Sequence, residues 1–224
     1  AVKTIVTTDI AAKIAKEYGV KLIEVLTGFK FIGEQIGFLE DKGQEDRYIF
    51  GFEESYGYLA GSYVRDKDAV VASMLICEMA AFYRTKGISL IQARENMYKK
   101  YGVYVHSQSS FVCEGVTGME RMKEIMSDLR TNTPKTIGGL TVTRFEDYLA
   151  STSVDTATGA KTMLTLPKSD VLTFKLTDGA SVIIRPSGTE PKIKAYYTTT
   201  GTTKAEAAAL EKTISDDFAK ILGF

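Results

Sequence analysis

The opening 26 residues constrain the fold most strongly. Val2 to Thr7 (VKTIVT) is a short β-branched run, Asp9 follows as a candidate N-cap, and Ile10, Ile14 and Tyr18 recur at helical spacing. Gly19 closes that helix, and Val20 to Leu26 (VKLIEVL) resumes as a strand. Strand, helix and strand in so short a length predict a βαβ unit, hence a parallel sheet with a right-handed crossover. Ligands of such sheets bind beyond the carboxyl ends of the strands. Two loops hold that position: Thr27-Gly28-Phe29-Lys30, after Leu26, and Gly51 to Gly57 (GFEESYG), after the short run Tyr48 to Phe50. Both are expected to open on one edge.

Downstream, Asp66-Lys67-Asp68 introduces an apolar helix from Ala69 to Thr85, ended by Gly87, and Ser89 opens another to about Tyr101. Gly102 breaks that pattern and Val103 to Phe111 alternates like a strand, which places a domain boundary here and gives domains 1–103 and 104–224. Thr117-Gly118-Met119-Glu120 matches a capping box before an amphipathic helix with Met122, Ile125, Met126 and Leu129 on one side. Asn132 to Gly139 reads as a turn, Leu140 to Phe145 as a strand, Ala150 to Ala160 as a polar loop and Val171 to Leu176 as a strand. Thr177-Asp178-Gly179 makes a hairpin into Ala180 to Arg185. A second capping box, Thr203-Lys204-Ala205-Glu206, launches a helix through Leu210, Ile214, Phe218 and Ile221. The predicted class is α/β plus α+β: a βαβ mixed-sheet domain, then a smaller antiparallel-sheet domain with helices on one face.

Composition narrows the chemistry. Twenty-eight basic and 28 acidic residues cancel, so nothing global points to nucleic acid or a membrane surface as partner. Cys77 and Cys113 show no CxxC spacing and His106 is the sole histidine, so a zinc site or a Ser-His-Asp triad is poorly supplied. No apolar run approaches the ~20 residues of a membrane span, and the cytoplasm is the default expectation.

The most informative stretch is Arg185-Pro186-Ser187-Gly188-Thr189-Glu190-Pro191-Lys192, a reversal between strand-like runs. A guanidinium, two hydroxyls and a glycine that lets backbone N–H groups turn inward are what a phosphate dianion needs. An ordinary Pro-Gly hairpin needs a turn residue, but not Arg, Ser and Thr within five positions. Glu53 and Glu54 are adjacent in an extended loop, where side chains diverge, so they do not flank one bond as paired carboxylates do. One of them, with Ser55, suits vicinal sugar hydroxyls. Lys30 and Lys67 gain meaning only at the rim of such a cleft. No nucleophile has a paired base.

TGFKFIGE (27–34), FGFEESYGYL (50–59), RDKDAV (65–70) and RPSGTEPKIKAYY (185–197) together resemble the α-phosphohexomutases, especially their bacterial phosphoglucomutase branch, in order and approximate spacing over essentially the whole chain. The resemblance implies the third and fourth of four domains in a phosphoserine enzyme that interconverts glucose 1-phosphate and glucose 6-phosphate through glucose 1,6-bisphosphate. It implies that Glu53 and Ser55 contact sugar hydroxyls, that Thr27, Gly28 and Lys67 line the same site, and that Arg185, Ser187, Gly188, Thr189 and Lys194 clamp the phosphate. Lys194 stands where many relatives carry Arg, which loses a bidentate fork. The Ser-His-Asn-Pro loop of the phosphorylated serine and the Asp-Gly-Asp-x-Asp-Arg loop for Mg²⁺ are absent from the sequence. The expectation is therefore a C-terminal piece whose partners are a phosphosugar and the N-terminal domains of its own parent, inactive alone. A phosphomannomutase or dual-specificity enzyme, and a non-catalytic phosphosugar-binding module, are the alternative readings.

Overall fold

In the computed structural model, which describes residues 1–115, 117–188 and 190–224, the chain divides into two compact units, Ala1–Gly102 and Val103–Phe224. As present here the second is the longer.

The first unit runs β1 (Val2–Thr4), α1 (Ile10–Glu17), β2 (Ile23–Val25), α2 (Phe29–Glu40), β3 (Gly51–Glu53), β4 (Gly57–Leu59), α3 (Ala69–Thr85) and α4 (Leu90–Tyr101). Its sheet has the order β2-β1-β3-β4; β1 pairs parallel with both β2 and β3, and β3 antiparallel with β4. The carboxyl ends of β2 and β3 therefore share an edge, as the βαβ reading requires. The opening strand is shorter than its apolar run, because a turn closes over Thr4 to Thr7, with the Thr7 N–H donating to the Thr4 carbonyl at 3.0 Å.

Two local expectations fail here for identifiable reasons. Asp9 precedes α1 but makes no capping bond; its carboxylate accepts the Lys3 ammonium at 3.1 Å instead. Phe29 and Lys30, expected in a loop, begin α2, whose period is blurred in sequence by Gly33 and Gly37. Gly33 is a packing requirement: a Cβ there would lie 2.4 Å from the Arg65 carbonyl oxygen. Phe29, Ile32 and Ile36 of α2 pack with Val2, Val25, Tyr48 and Leu59 to form the core of this unit. Gly51 makes the contact possible, since a side chain on it would meet Ile32 at 2.5 Å.

Asp68 caps α3 by accepting from the Val70 and Val71 N–H groups, and Ser89 with Gln92 completes a capping box on α4. No residue of α3 is buried, although it is apolar around its circumference; Val70 is 80% exposed and Phe82 53%.

The second unit contains β5 (Val103–Val112), α5 (Gly118–Thr131), β6 (Thr136–Ile137), β7 (Leu140–Asp147), β8 (Thr152–Asp155), β9 (Lys161–Met163), β10 (Leu172–Leu176), β11 (Ser181–Pro186), β12 (Lys192–Gly201) and α6 (Lys204–Ile221). The sheet is antiparallel throughout, ordered β5-β12-β11-β10-β7-β8-β9, with β6 on β7. The stretch read as a polar loop, 150–160, carries β8, whose Thr and Ser residues hide its period. One sheet face presents Leu172, Phe174, Val182, Ile184, Ile193, Ala195 and Tyr197 to Met122, Ile125, Met126 and Leu129 of α5 and Ile214 and Phe218 of α6. Each such large side chain contributes about 1.5–3 kcal/mol by leaving water. Both helices thus lie on one face, and the opposite face of β11 and β12 carries the polar groups described next.

The two capping boxes fare differently. Thr203 and Glu206 exchange both bonds, whereas Thr117 makes none. Thr203 is extended (φ −127°, ψ 158°), as a cap must be; Thr117 sits at φ −87°, ψ 2°. Its backbone is set by the next residue, for Gly118 lies so close to the Cys113 carbonyl that a Cβ would approach within 2.0 Å.

Candidate functional site

Each unit carries its own polar cluster. In the first, β3 delivers Glu53 as its last residue, a reversal follows through Glu54, Ser55 and Tyr56 (φ 60°), and Gly57 starts β4 opposite Glu53. Gly57 is there for room: a Cβ on it would sit 2.5 Å from Glu53 Cγ and 2.9 Å from Lys67 Cδ. Glu53 and Lys67 therefore converge over a position that holds no side chain. The Lys67 ammonium lies 5.3 Å from the centroid of the Phe29 ring and 2.9 Å from an Asp66 oxygen. Phe29 follows Gly28, which is the N-cap of α2 with φ 118°, and Thr27 is half-buried just after β2. The start of α2, Lys67 and Glu53 are thereby brought together.

Burial is the main cause that pushes the Glu53 carboxyl above its usual range, with the Glu54 and then the Asp66 charge adding to it; Lys67 and a hydrogen bond from Ser55 oppose the shift. A partly desolvated carboxylate with hydroxyl and ammonium neighbours is a strong acceptor for ligand hydroxyls. The Lys67–Asp66 pair is exposed at both ends, so it is worth about 0–1 kcal/mol and exchanges readily for a ligand oxygen. Lys30, by contrast, is an exposed residue lying over the ring of Phe31.

In the second unit the reversal between β11 and β12 spans 187–191. Its neck is closed by the Ser187 N–H donating to the Lys192 carbonyl at 2.8 Å, while the Lys192 ammonium pairs with Glu190 at 2.6 Å. Lys192, and then Lys194, hold the Glu190 carboxyl below its usual range. Arg185 and Lys194 are direct cross-strand partners, and Ser110 of β5 stands beside Lys194. Arg185 Nη2 donates to the Tyr196 hydroxyl at 3.2 Å, and its guanidinium carbon is 5.9 Å from the Tyr196 ring centroid. Arg185 Nε is buried and has no hydrogen-bond partner among the described residues. Two cations facing each other across antiparallel strands repel, unlike most native cross-strand pairs. A dianion lying over them removes the repulsion and takes the unused N–H. Gly188 is exposed on the same loop, and Thr189 lies outside the described residues.

Four participants carry no local signal in the sequence. Lys3, Thr4 and Thr7 looked like ordinary strand residues, yet they form a buried polar platform reaching Glu54. Tyr196 reads as an aromatic in a β-run, and only the side-chain contact with Arg185 gives it a place in the site. Among the described residues no three His, Cys, Asp or Glu side chains lie together as the ligands of a metal ion would. Nor is any helix of the described residues long and apolar enough to cross a membrane.

Known proteins match this arrangement. The family model for phosphoglucomutase/phosphomannomutase alpha/beta/alpha domain III matches residues 1–101, and that for the phosphoglucomutase/phosphomannomutase C-terminal domain matches residues 126–216. A Staphylococcus aureus (strain bovine RF122 / ET3-1) phosphoglucomutase is 39% identical over 195 residues, 87% of this chain and 35% of its own length. The phosphoglucomutase of S. aureus strain MRSA252 is 38% identical over the same shares. Among solved structures, the open form of Paramecium pp63/parafusin, a phosphoglucomutase, superposes with a TM-score of 0.69 at 21% identity, covering 99% of this chain and 37% of that one. A phosphoglucomutase/phosphomannomutase family protein from Burkholderia thailandensis gives 0.54 at 16%, covering 99% and 36%. The chain thus spans about a third of the length of the relatives it matches. Its fold, both family models and the curated relatives agree, and the chain belongs to the phosphoglucomutase/phosphomannomutase family, carrying domain III and the C-terminal domain.

Proposed function

We propose that this chain supplies the sugar-holding and phosphate-holding elements of an α-phosphoglucomutase, which interconverts glucose 1-phosphate and glucose 6-phosphate through glucose 1,6-bisphosphate in the cytoplasm. Glu53 accepts from sugar hydroxyls, Ser55 adds a further contact, and Lys67 with the Thr27-Gly28 turn lines the same loop. Arg185, Ser187, Gly188, Thr189 and Lys194 hold the phosphate that is not reacting. Phosphoryl transfer depends on positioning and electrostatic stabilisation, so a clamp on the idle phosphate contributes orientation. The phosphorylated serine and the Mg²⁺ that would assist transfer belong to segments the sequence does not contain, and the parent's N-terminal domains are the partner that provides them.

The observation that carries this reading is the cross-strand Arg185–Lys194 pair with its unused, buried Nε. Calorimetric titration with glucose 1-phosphate tests it. Arg185→Ala should weaken binding at least tenfold, the equivalent of about 1.4 kcal/mol, because it removes a charge-assisted contact at the dianion. Lys67→Ala, which removes an exposed charge, should cost less than about threefold. Equal losses would reject the ranking. With glucose 1,6-bisphosphate and Mg²⁺ added, the chain alone should form no glucose 6-phosphate, and appreciable turnover would overturn the division of labour. Parallel titration with mannose 1-phosphate separates a glucose enzyme from the phosphomannomutase reading, which the shared family model keeps in play.

A further inference from the structure

Glu54 lies between the two residues assigned to the sugar and is given no role by that assignment. It is exposed as a residue, yet its Oε2 reaches two hydroxyls on β1 and the turn after it: Thr4 Oγ1 at 3.3 Å and Thr7 Oγ1 at 3.4 Å, which are 2.7 Å from each other. Both threonines are buried, Thr4 completely. An ionised carboxylate only accepts, so two hydroxyl protons serve three oxygen–oxygen contacts. One hydroxyl donates to Glu54; the other donates either to Glu54 or to the first hydroxyl. In both arrangements the carboxylate terminates a short chain of hydrogen bonds anchored in the sheet.

The anchor is itself fixed. The Thr7 N–H closes on the Thr4 carbonyl, and the fully buried Lys3 ammonium donates to the Thr7 carbonyl at 2.9 Å. Asp9 and Glu24 neutralise that ammonium at 3.1 and 2.7 Å. A buried amine held by two carboxylates and a carbonyl has no low-energy alternative position. Above this platform Glu53 projects toward Gly57 and Lys67, away from Glu54, as neighbouring side chains in an extended segment do.

We infer that Glu54 is a positioning residue: through Thr4 and Thr7 it ties the 54–56 reversal to the end of β1 and fixes the direction in which Glu53 and Ser55 are offered to a ligand. The inference rests on the sugar-binding role of Glu53 and Ser55 for its functional consequence, but the tie is a property of the loop alone. Tyr56 at φ 60° gives the loop a conformation that a side chain rarely holds without such an anchor.

The test is backbone ¹⁵N relaxation of the intact chain together with titration. In Glu54→Ala, order parameters at Ser55 and Tyr56 should fall from the rigid range near 0.85 to below about 0.6 while those of α2 stay unchanged. Glu54→Gln should stay rigid, because the carboxamide oxygen accepts the same hydroxyl protons. Thr4→Val, which removes one donor and keeps the volume, should loosen the loop less than Glu54→Ala does, because the Thr7 hydroxyl still reaches the carboxylate. Affinity for glucose 1-phosphate should drop by about five- to tenfold in Glu54→Ala, with inorganic phosphate binding unchanged. Unchanged order in Glu54→Ala, or equal loosening in Glu54→Gln, overturns the tie. A loosened loop in a chain whose wild type shows no glucose 1-phosphate binding upholds the tie and overturns the sugar-binding reading instead.

Discussion

Glu53 sets stability against binding in a way that pH exposes. Burial and the nearby Glu54 and Asp66 charges raise its carboxyl above the ordinary 4.5, so the folded state disfavours the ionised form. For a raised carboxyl the sign is a penalty: it is absent below the unfolded value, grows as pH rises toward the folded value, and is complete above it. Glu53→Gln should therefore stabilise the chain at pH 7, by at most about 1 kcal/mol once solvent screening of a half-exposed group is allowed for. The gain should vanish below about pH 4, and sugar phosphate affinity should fall at the pH values where Glu53 is ionised. Thermal melts at pH 3.5 and 7 check this, and a gain independent of pH would contradict the burial account. Arg185 shows the same exchange in another form, since an unpaired buried N–H beside a like charge is tolerable in a protein mainly where a ligand uses it.

Helix ends show how local signals succeed or fail. Both Thr117 and Thr203 begin a Thr-x-x-Glu match, but only Thr203 caps its helix, so Thr203→Ala should cost about 1 kcal/mol and Thr117→Ala less than about 0.5. Chemical denaturation of the two variants measures the difference; equal costs would mean that the cap geometry matters less than packing. The βαβ start, α3 with its Asp68 cap, and the antiparallel order around β11 and β12 were legible because each is written in adjacent residues as a period, a cap or a hairpin turn. The lower half of the first cluster was not legible. Thr4, Thr7 and Glu54 meet across some fifty positions, and no local period records a contact made through space. In α2 two glycines weaken the helical period, and the packing reason for one of them, Gly33, becomes visible only with Arg65 in place. Facing of Arg185 and Lys194 required the register of β11 on β12, which hairpin length alone leaves open.

With equal numbers of acidic and basic residues, the molecule has no net charge to attract an anion, so recognition depends on where a few cations are held. Each unit holds them at its sheet, a lysine beside a carboxylate near the β3–β4 reversal in one and an arginine–lysine pair on the facing strands β11 and β12 in the other. The most direct check is a titration of ¹⁵N-labelled chain with glucose 1-phosphate, followed by amide chemical shifts. Shifts concentrated at residues 53–57 and at 185–194, with inorganic phosphate moving only the second set, are the predicted result. Glucose 1-phosphate shifts absent from both sets, or centred on surfaces away from Glu53 and Arg185, would contradict the assignment of this chain as the phosphosugar-holding part of a phosphoglucomutase.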